Sequence, residues 1–213
     1  MAYGHERSLK ETSGDRLNGV SILLFDLGGV LVQWEGSEGL LELTEGRLSR
    51  EDARKFWLHS PWVRRFEAGR CSGMDFASGA VEELGLAVSA EEFLARFTGW
   101  DRGPLPGAHS RLEELRPRFV LACLSNNNEI HWPRIRDEFG FGRLFDKRYL
   151  SHEIGLIKPE REIFDYVLRD LSRPAESILF LDDNPECVEA ARAVGMGAEL
   201  ARGVEAVRGH LRI

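Results

Sequence analysis

The chain has 213 residues, of which 43% are hydrophobic and 30% charged, and its formal net charge is −7. That composition builds a globular core and excludes a disordered or collagen-like chain. The acidic balance argues against a general nucleic-acid binder, and the longest apolar runs are far too short to span a bilayer.

Residues 1–19 mix charges with glycine and read as a polar extension, without the apolar stretch of a secretory signal. Residues 20–25 (VSILLF) then form an unbroken apolar run closed by Asp26 and two glycines. Such a run predicts a strand buried on both faces of a parallel sheet. The next run of this kind, 119–124 (FVLACL), comes only after the segment 35–103, which is far longer than an ordinary crossover. Helical periodicity within that segment predicts helices over 49–58, 60–68, 73–84 and 90–98. The segment is expected to be an inserted helical subdomain, with 103–107 as the return linker. Beyond it, further strands are expected at 148–150, 177–181 and 198–201. Helices are expected at 109–116, 131–139, 159–171 and 185–194. Alternating strand and helix predicts an α/β class with a doubly wound, mainly parallel sheet built from 20–34 and 104–213.

Cys71, Cys123 and Cys187 are widely spaced and form no CxxC pair. That pattern suits a reducing, cytoplasmic setting and offers neither a disulfide framework nor a cysteine zinc site. The six histidines show no metal-ligand spacing. The reactive residues instead fall where the predicted strands end: Asp26, Ser125, Lys158, Asp182 and Asp183. In an open parallel sheet, ligands bind beyond the carboxyl ends of the strands. Three carboxylates gathered there repel one another unless a cation sits among them, and an all-oxygen cluster suits a hard ion such as Mg²⁺.

Four strings occur in a fixed order: ILLFDLGGVLV around Asp26, ACLSNNN at Ser125, IGLIKPE at Lys158 and LFLDDNPE at Asp182–Asp183. Together they resemble the haloacid dehalogenase superfamily. FDLGGVL and LSNNN followed by His131–Trp132 look most like the branch holding sugar-1-phosphate phosphatases and the amino-terminal phosphatase domain of soluble epoxide hydrolases. The resemblance implies a Rossmann-like core, with 35–103 as an α-helical cap. It implies a Mg²⁺-dependent phosphatase acting on a small phosphorylated metabolite. Asp26 would be the nucleophile, carrying an aspartyl-phosphate. Ser125, Asn126, Lys158 and the backbone N–H groups of Leu27, Gly28 and Gly29 would cradle the phosphoryl oxygens. The metal would be held by Asp26, the Gly28 carbonyl and Asp183, with Asp182 acting directly or through water.

One position departs from the family pattern. Phosphatases of this kind usually carry a second Asp two residues after the nucleophile, to protonate the leaving alkoxide and then activate water. Here that position is Gly28, which transfers no proton. General acid–base help is worth roughly 10²–10⁴-fold in rate. The departure implies a slow enzyme, a substrate with a good leaving group such as an anomeric or acyl phosphate, or another acid. It also leaves open an impaired domain that binds a phosphorylated ligand or a protein partner. Dehalogenation is disfavoured, because the residue expected at position 28 for that chemistry is aromatic. In the insert, Trp62, Arg64, Arg65 and Phe66 are candidates to reach the cleft, although core packing and a solvated helix face explain them more simply. Trp34, His131 and Trp132 are candidate pocket residues, and Cys123 is expected to be a buried strand residue.

Overall fold

The structure, a computed structural model, describes residues 17–211. Most of the predicted extension therefore lies outside the described residues, while Leu17 and Val20 pack against the core. Seven strands follow in chain order: β1 Ile22–Phe25, β2 Val32–Trp34, β3 Asp101–Pro104, β4 Val120–Ser125, β5 Lys147–Leu150, β6 Ile178–Asp182 and β7 Gly197–Leu200. Five of them form one parallel sheet in the order β5-β4-β1-β6-β7. The central strand explains its own sequence. Leu24 pairs with Ala122 on one side and Phe180 on the other, and all four residues of β1 are buried. With neither an edge nor a face in water, β1 has no use for alternating polar residues.

The insert contributes α1 Gly36–Leu43, α2 Arg50–His59, α3 Pro61–Glu67, α4 Gly73–Leu84 and α5 Ala90–Thr98. The starts of α2 and α4 are written locally. Ser49 accepts from the Asp52 N–H and Ser72 from the Asp75 N–H, and each aspartate returns a bond to the cap backbone, a reciprocal box that satisfies otherwise orphaned donors. Ser60 caps α3, where Pro61 fits the first turn because its missing N–H costs nothing there. The remainder is α6 Ala108–Leu115, α7 His131–Pro133, α8 Ser151–Ile154, α9 Arg161–Leu171, α10 Pro185–Ala193 and α11 Gly203–His210. α7 runs on into a π-helical stretch over Arg134–Glu138, so the helix expected at 131–139 changes its winding part-way.

Two buried clusters sandwich the sheet. One gathers Leu23 and Phe25 with Leu112 and Leu115 of α6 and Val204 and Val207 of α11. The other gathers Ile22 and Leu24 with Ile163, Phe164 and Val167 of α9 and Val188 and Ala191 of α10. The helices thus cover both faces, and the sheet is doubly wound as expected. The insert has a separate core rich in aromatic rings, including Phe56, Phe66, Phe76, Phe93, Phe97 and Trp100. Among the described residues no helix is long and apolar enough to cross a membrane.

Several elements differ from the expectation. β2 and β3 form an antiparallel ribbon at the root of the insert, with Val32 opposite Pro104. Gly103 and Pro104, read as linker, therefore belong to a strand. A strand this short, carrying both Gly and Pro, gives no propensity signal of its own. α1 contains two glycines and scores poorly as a helix on propensity. It forms because it packs on Trp34 and Trp100, so closely that a side chain at Gly39 would meet the Trp100 ring at 2.0 Å. α11 likewise forms although no helix was expected there.

Candidate active site

The carboxyl ends of β1, β4 and β6 bring the expected residues together. Asp26 follows β1, Ser125 ends β4 and Asp182 ends β6. Lys158 reaches in from the loop before α9, and its Nζ lies 2.9 Å from Asp26 Oδ1 and 2.6 Å from Asp182 Oδ2. All three groups are buried, with Lys158 only 5% exposed. Asp182 is the anchor of the pair: its other oxygen, Oδ1, accepts the Asn184 N–H at 2.7 Å. Asn126 fixes the lysine loop, donating to the Lys158 carbonyl at 3.0 Å and accepting the Lys158 N–H at 2.8 Å. Asp26, Asp182 and Asp183 each offer an oxygen within 4.8 Å of the others.

The charges of this cluster are strained. Burial pushes the Asp26 carboxyl up to about 7; Lys158 opposes the rise, while Asp182 and Asp183 add to it. Burial, reinforced by Asp182, also raises Asp183. Burial works against the charge on Lys158, but Asp182 and Asp26 outweigh it and hold the ammonium well above the ordinary lysine range. One ammonium among three carboxylates leaves negative charge over, which adds to the effect of burial in raising two of those carboxylates. A divalent cation among their oxygens relieves that repulsion, so the donor set fits a hard metal ion.

The turn after Asp26 separates its two glycines. Gly29 has φ +72°, and a Cβ there would lie 2.6 Å from Asp183 Oδ2, so both backbone and space demand glycine. Gly28 has an ordinary backbone, and a Cβ there would meet only Trp34 at 3.7 Å. Nothing in the fold forbids a side chain at position 28. The Leu27 side chain is fully buried in the core.

A cavity of about 200 Å³ opens directly over this cluster. Asp26, Gly28, Ser125, Asn126, Lys158, Asp182 and Asp183 all line it; Leu27 and Gly29 do not. The rest of its lining, the wall, comes mostly from the insert and is largely apolar, with Trp34, Trp57, Val63, Phe66, Phe76 and Phe97. Of the insert candidates, only Phe66 reaches the cavity. Trp62 packs on Gly79, Arg65 stacks over Trp62 at 5.0 Å, and Arg64 pairs with Glu160. Trp34 and His131 line the cavity, whereas Trp132 is buried in the core. Cys123 is buried in β4.

Sequence reasoning missed two acids of this wall, Glu67 and Asp101. Burial pushes Glu67 up to about 8, with Lys158 opposing and Asp26 contributing. Burial pushes Asp101 up to about 7 against the pull of Arg134. Asp101 Oδ2 lies 3.6 Å from His131 Nδ1, but the two form no ion pair. His131 Nε2 donates to the Phe97 carbonyl at 2.9 Å, and burial drops the imidazole to about 4, so it stays neutral. Neither acid sits in a motif; one ends a helix of the insert and the other starts the strand that leaves it.

Residues 20–195 match the haloacid dehalogenase-like hydrolase family. The chain belongs to that family. The hydrolase is 41% identical over 200 residues to drimenol cyclase drtB from Aspergillus calidoustus, covering 85% of this chain but only 34% of that relative. It is 28% identical over 176 residues to sesquiterpene phosphatase astK from Aspergillus oryzae, covering 81% of this chain and 85% of that one. Among solved structures, it superposes with a TM-score of 0.68 and 28% identity on an enzyme of the same family from Bacteroides thetaiotaomicron, crystallised with magnesium and inorganic phosphate. That match covers 85% of this chain and 93% of the other.

Proposed function

We propose that this hydrolase is a Mg²⁺-dependent phosphatase that opens a phosphomonoester through Asp26, and that the alcohol it releases is largely hydrocarbon. The observation that carries the reading is the two-sided cavity, with a carboxylate–ammonium cluster on its floor and aromatic rings across from it. Asp26, Asp183 and the Gly28 carbonyl would hold the ion, which supplies positive charge against the anionic phosphoryl group. Asp26 attacks phosphorus and carries the phosphoryl group as an acyl phosphate. Lys158 orients Asp26 and neutralises charge on the transferring group, held in place by Asp182. The Ser125 hydroxyl and the Asn126 and Gly28 backbone N–H groups donate to phosphoryl oxygens; the Gly29 N–H, expected to join them, is instead spent on the Val32 carbonyl at 2.9 Å. Residues 35–103 act as the cap over this floor.

The aromatic wall favours an apolar alcohol over a sugar. A hydroxyl buried against Trp57, Phe76 and Phe97 without a partner costs roughly 1–3 kcal/mol, whereas each buried CH₂ gains about 0.8 kcal/mol. The likeness to a sesquiterpene phosphatase supports the same class. The absent acid at Gly28 favours a second reading, an impaired domain that binds phosphorylated ligands without turnover. One assay separates them. The purified chain with Mg²⁺ is given p-nitrophenyl phosphate, farnesyl phosphate and glucose 1-phosphate. We expect phosphate release that Asp26→Asn abolishes, with kcat/KM at least tenfold higher for farnesyl than for glucose phosphate. No metal-dependent release from any ester overturns the phosphatase reading; equal or higher kcat/KM for the sugar overturns the apolar alcohol.

A further inference from the structure

The released alcohol of such an ester is a poor leaving group unless it is protonated, and Gly28 holds no proton. We propose that Glu67, reaching in from the insert, is the general acid and base that position 28 lacks. The proposal rests on the phosphatase reading above.

Three observations carry it. Glu67 lines the same cavity as Asp26, Gly28 and Lys158, on the insert side where the alcohol would lie. Lys158, Asp26 and a hydrogen bond from Asn126, all groups of the cavity floor, act on its carboxyl. The other acid of that wall, Asp101, feels none of them. Its position is also fixed from both sides. Three residues before it, Arg64 pairs with Glu160 of the core. Three residues after it, the Arg70 guanidinium donates to the Gly155 carbonyl at 2.9 Å. Between them, Gly69 lies so close to the His152 carbonyl that a Cβ would approach within 2.3 Å. The segment carrying Glu67 is thus clamped to the core at three points, and the flanking Phe66 and Ala68 are buried. Glu67 is not one of the three carboxylates that converge as a metal cluster, so it is left for proton transfer. At neutral pH it keeps its proton, because burial raises its carboxyl to about 8 against the pull of Lys158.

The chemistry balances. As an Asp26 oxygen bonds to phosphorus, the bond between phosphorus and the alcohol oxygen breaks and its electron pair stays on that oxygen. The Glu67 hydroxyl hydrogen moves onto it, releasing a neutral alcohol. The resulting Glu67 carboxylate then takes a proton from water as the water oxygen attacks phosphorus. The Asp26–phosphorus bond breaks, and Asp26 and Glu67 return to their starting states with inorganic phosphate released.

The test compares two leaving groups in the full chain with Mg²⁺. A p-nitrophenolate leaves without a proton; a farnesyl alkoxide does not. With Glu67→Gln, kcat/KM for p-nitrophenyl phosphate should stay within threefold of wild type. For farnesyl phosphate it should fall roughly 10²–10⁴-fold. Because kcat/KM reports only as far as alcohol release, the later loss of the base does not blur the contrast. That loss should appear separately, as a burst of one p-nitrophenol per Asp26 followed by slow turnover. Adding Gly28→Asp to Glu67→Gln, a change the local space admits, should recover at least tenfold on farnesyl phosphate. Should Glu67→Gln melt well below wild type, Glu67→Asp, one methylene shorter, carries the same contrast. Equal losses on both esters, or no loss on either, overturns the proposal. So does a wild type that cleaves the aryl ester but not the alkyl one. A wild type inactive on both, or activity surviving Asp26→Asn, instead overturns the phosphatase reading beneath it.

Discussion

The floor and the wall of the cavity are built by different means. On the floor, each functional group hangs from the end of a parallel strand or the loop next to one, and ion pairs hold it in place: Lys158 spans Asp26 and Asp182 within 3 Å of each. On the wall, groups hang from short helices whose mutual packing is rich in aromatic rings. Phe66 and Phe76 stack at 4.7 Å, and Trp57 and Phe97 at 6.0 Å. Strand ends fix geometry through sheet hydrogen bonds that no side chain can loosen. Packed helices fix it only as well as their side chains interlock. A floor of that kind suits chemistry, and a wall of this kind suits selection among substrates.

The sharpest way to break the contrast is to remove the cation from the floor. Lys158→Met leaves Asp26 and Asp182 buried without their partner. Breaking a buried pair in this way costs about 3–5 kcal/mol, and phosphate release should fall to background. Denaturant melts in EDTA beside a phosphate assay check both. Retained turnover would detach the lysine from the chemistry. The matching change on the wall is Phe76→Ala. It removes a fully buried ring at the centre of the insert and should also cost about 3–5 kcal/mol. Here the two regions should part company. Hydrolysis of p-nitrophenyl phosphate should persist below the melting transition, while the preference for farnesyl over glucose phosphate collapses. Preserved preference would show that the wall does not select.

The same contrast explains what the chain disclosed when read as a string. The three central strands were legible because each is a short apolar run, whereas the edge strands KRYL and GAEL gave a weaker signal, and most of the floor was legible because Asp26, Ser125 and Asp182–Asp183 sit at the ends of the apolar runs. Asp26, Ser125, Lys158 and the Asp182–Asp183 pair all converge as expected. The wall was not legible. Trp57, Phe76 and Phe97 show helical spacing, and helical spacing does not distinguish a ring facing the insert's own core from one facing a cavity. Glu67 reads as the solvated end of a helix, and only the fold reveals that it is turned inward. The ribbon of β2 and β3 escaped for another reason: its pairing joins residues about 70 apart, beyond any local signal. Gly28 and Gly29 are indistinguishable in the sequence, yet only Gly29 is forced to be glycine.

A subtler probe sits where floor and wall meet. Asp101 titrates near 7 when folded and near 3.8 when unfolded. The native state therefore keeps a proton that the unfolded chain gives up. The stability this contributes is whole below about pH 4 and is lost as pH rises through about 7. His131 runs the other way: lowered to about 4, its contribution is whole above about 6.5 and is lost toward pH 4. Comparing Asp101→Asn with wild type cancels the histidine. The variant should gain on wild type by up to about 4 kcal/mol between pH 4 and pH 8, from a shift of about three units at 1.36 kcal/mol each. A constant difference across that range would mean that the carboxyl is already ionised in the fold.

The smallest effect should come from the ion pair that ties wall to floor. Arg64 and Glu160 join the insert to the core, but their side chains are 34% and 41% exposed. A pair so open to water contributes about 0–1 kcal/mol, and salt screens what remains. Arg64→Ala should therefore lower stability by less than about 1 kcal/mol, and less still at 0.5 M salt. A loss of 3 kcal/mol would mean that insert and core unfold as one unit through this contact, and the aromatic core of the insert would no longer count as self-supporting. If the loss is small while farnesyl phosphate is still preferred, the wall is held against the floor by its other contacts, Arg70 on Gly155 and His131 on Phe97.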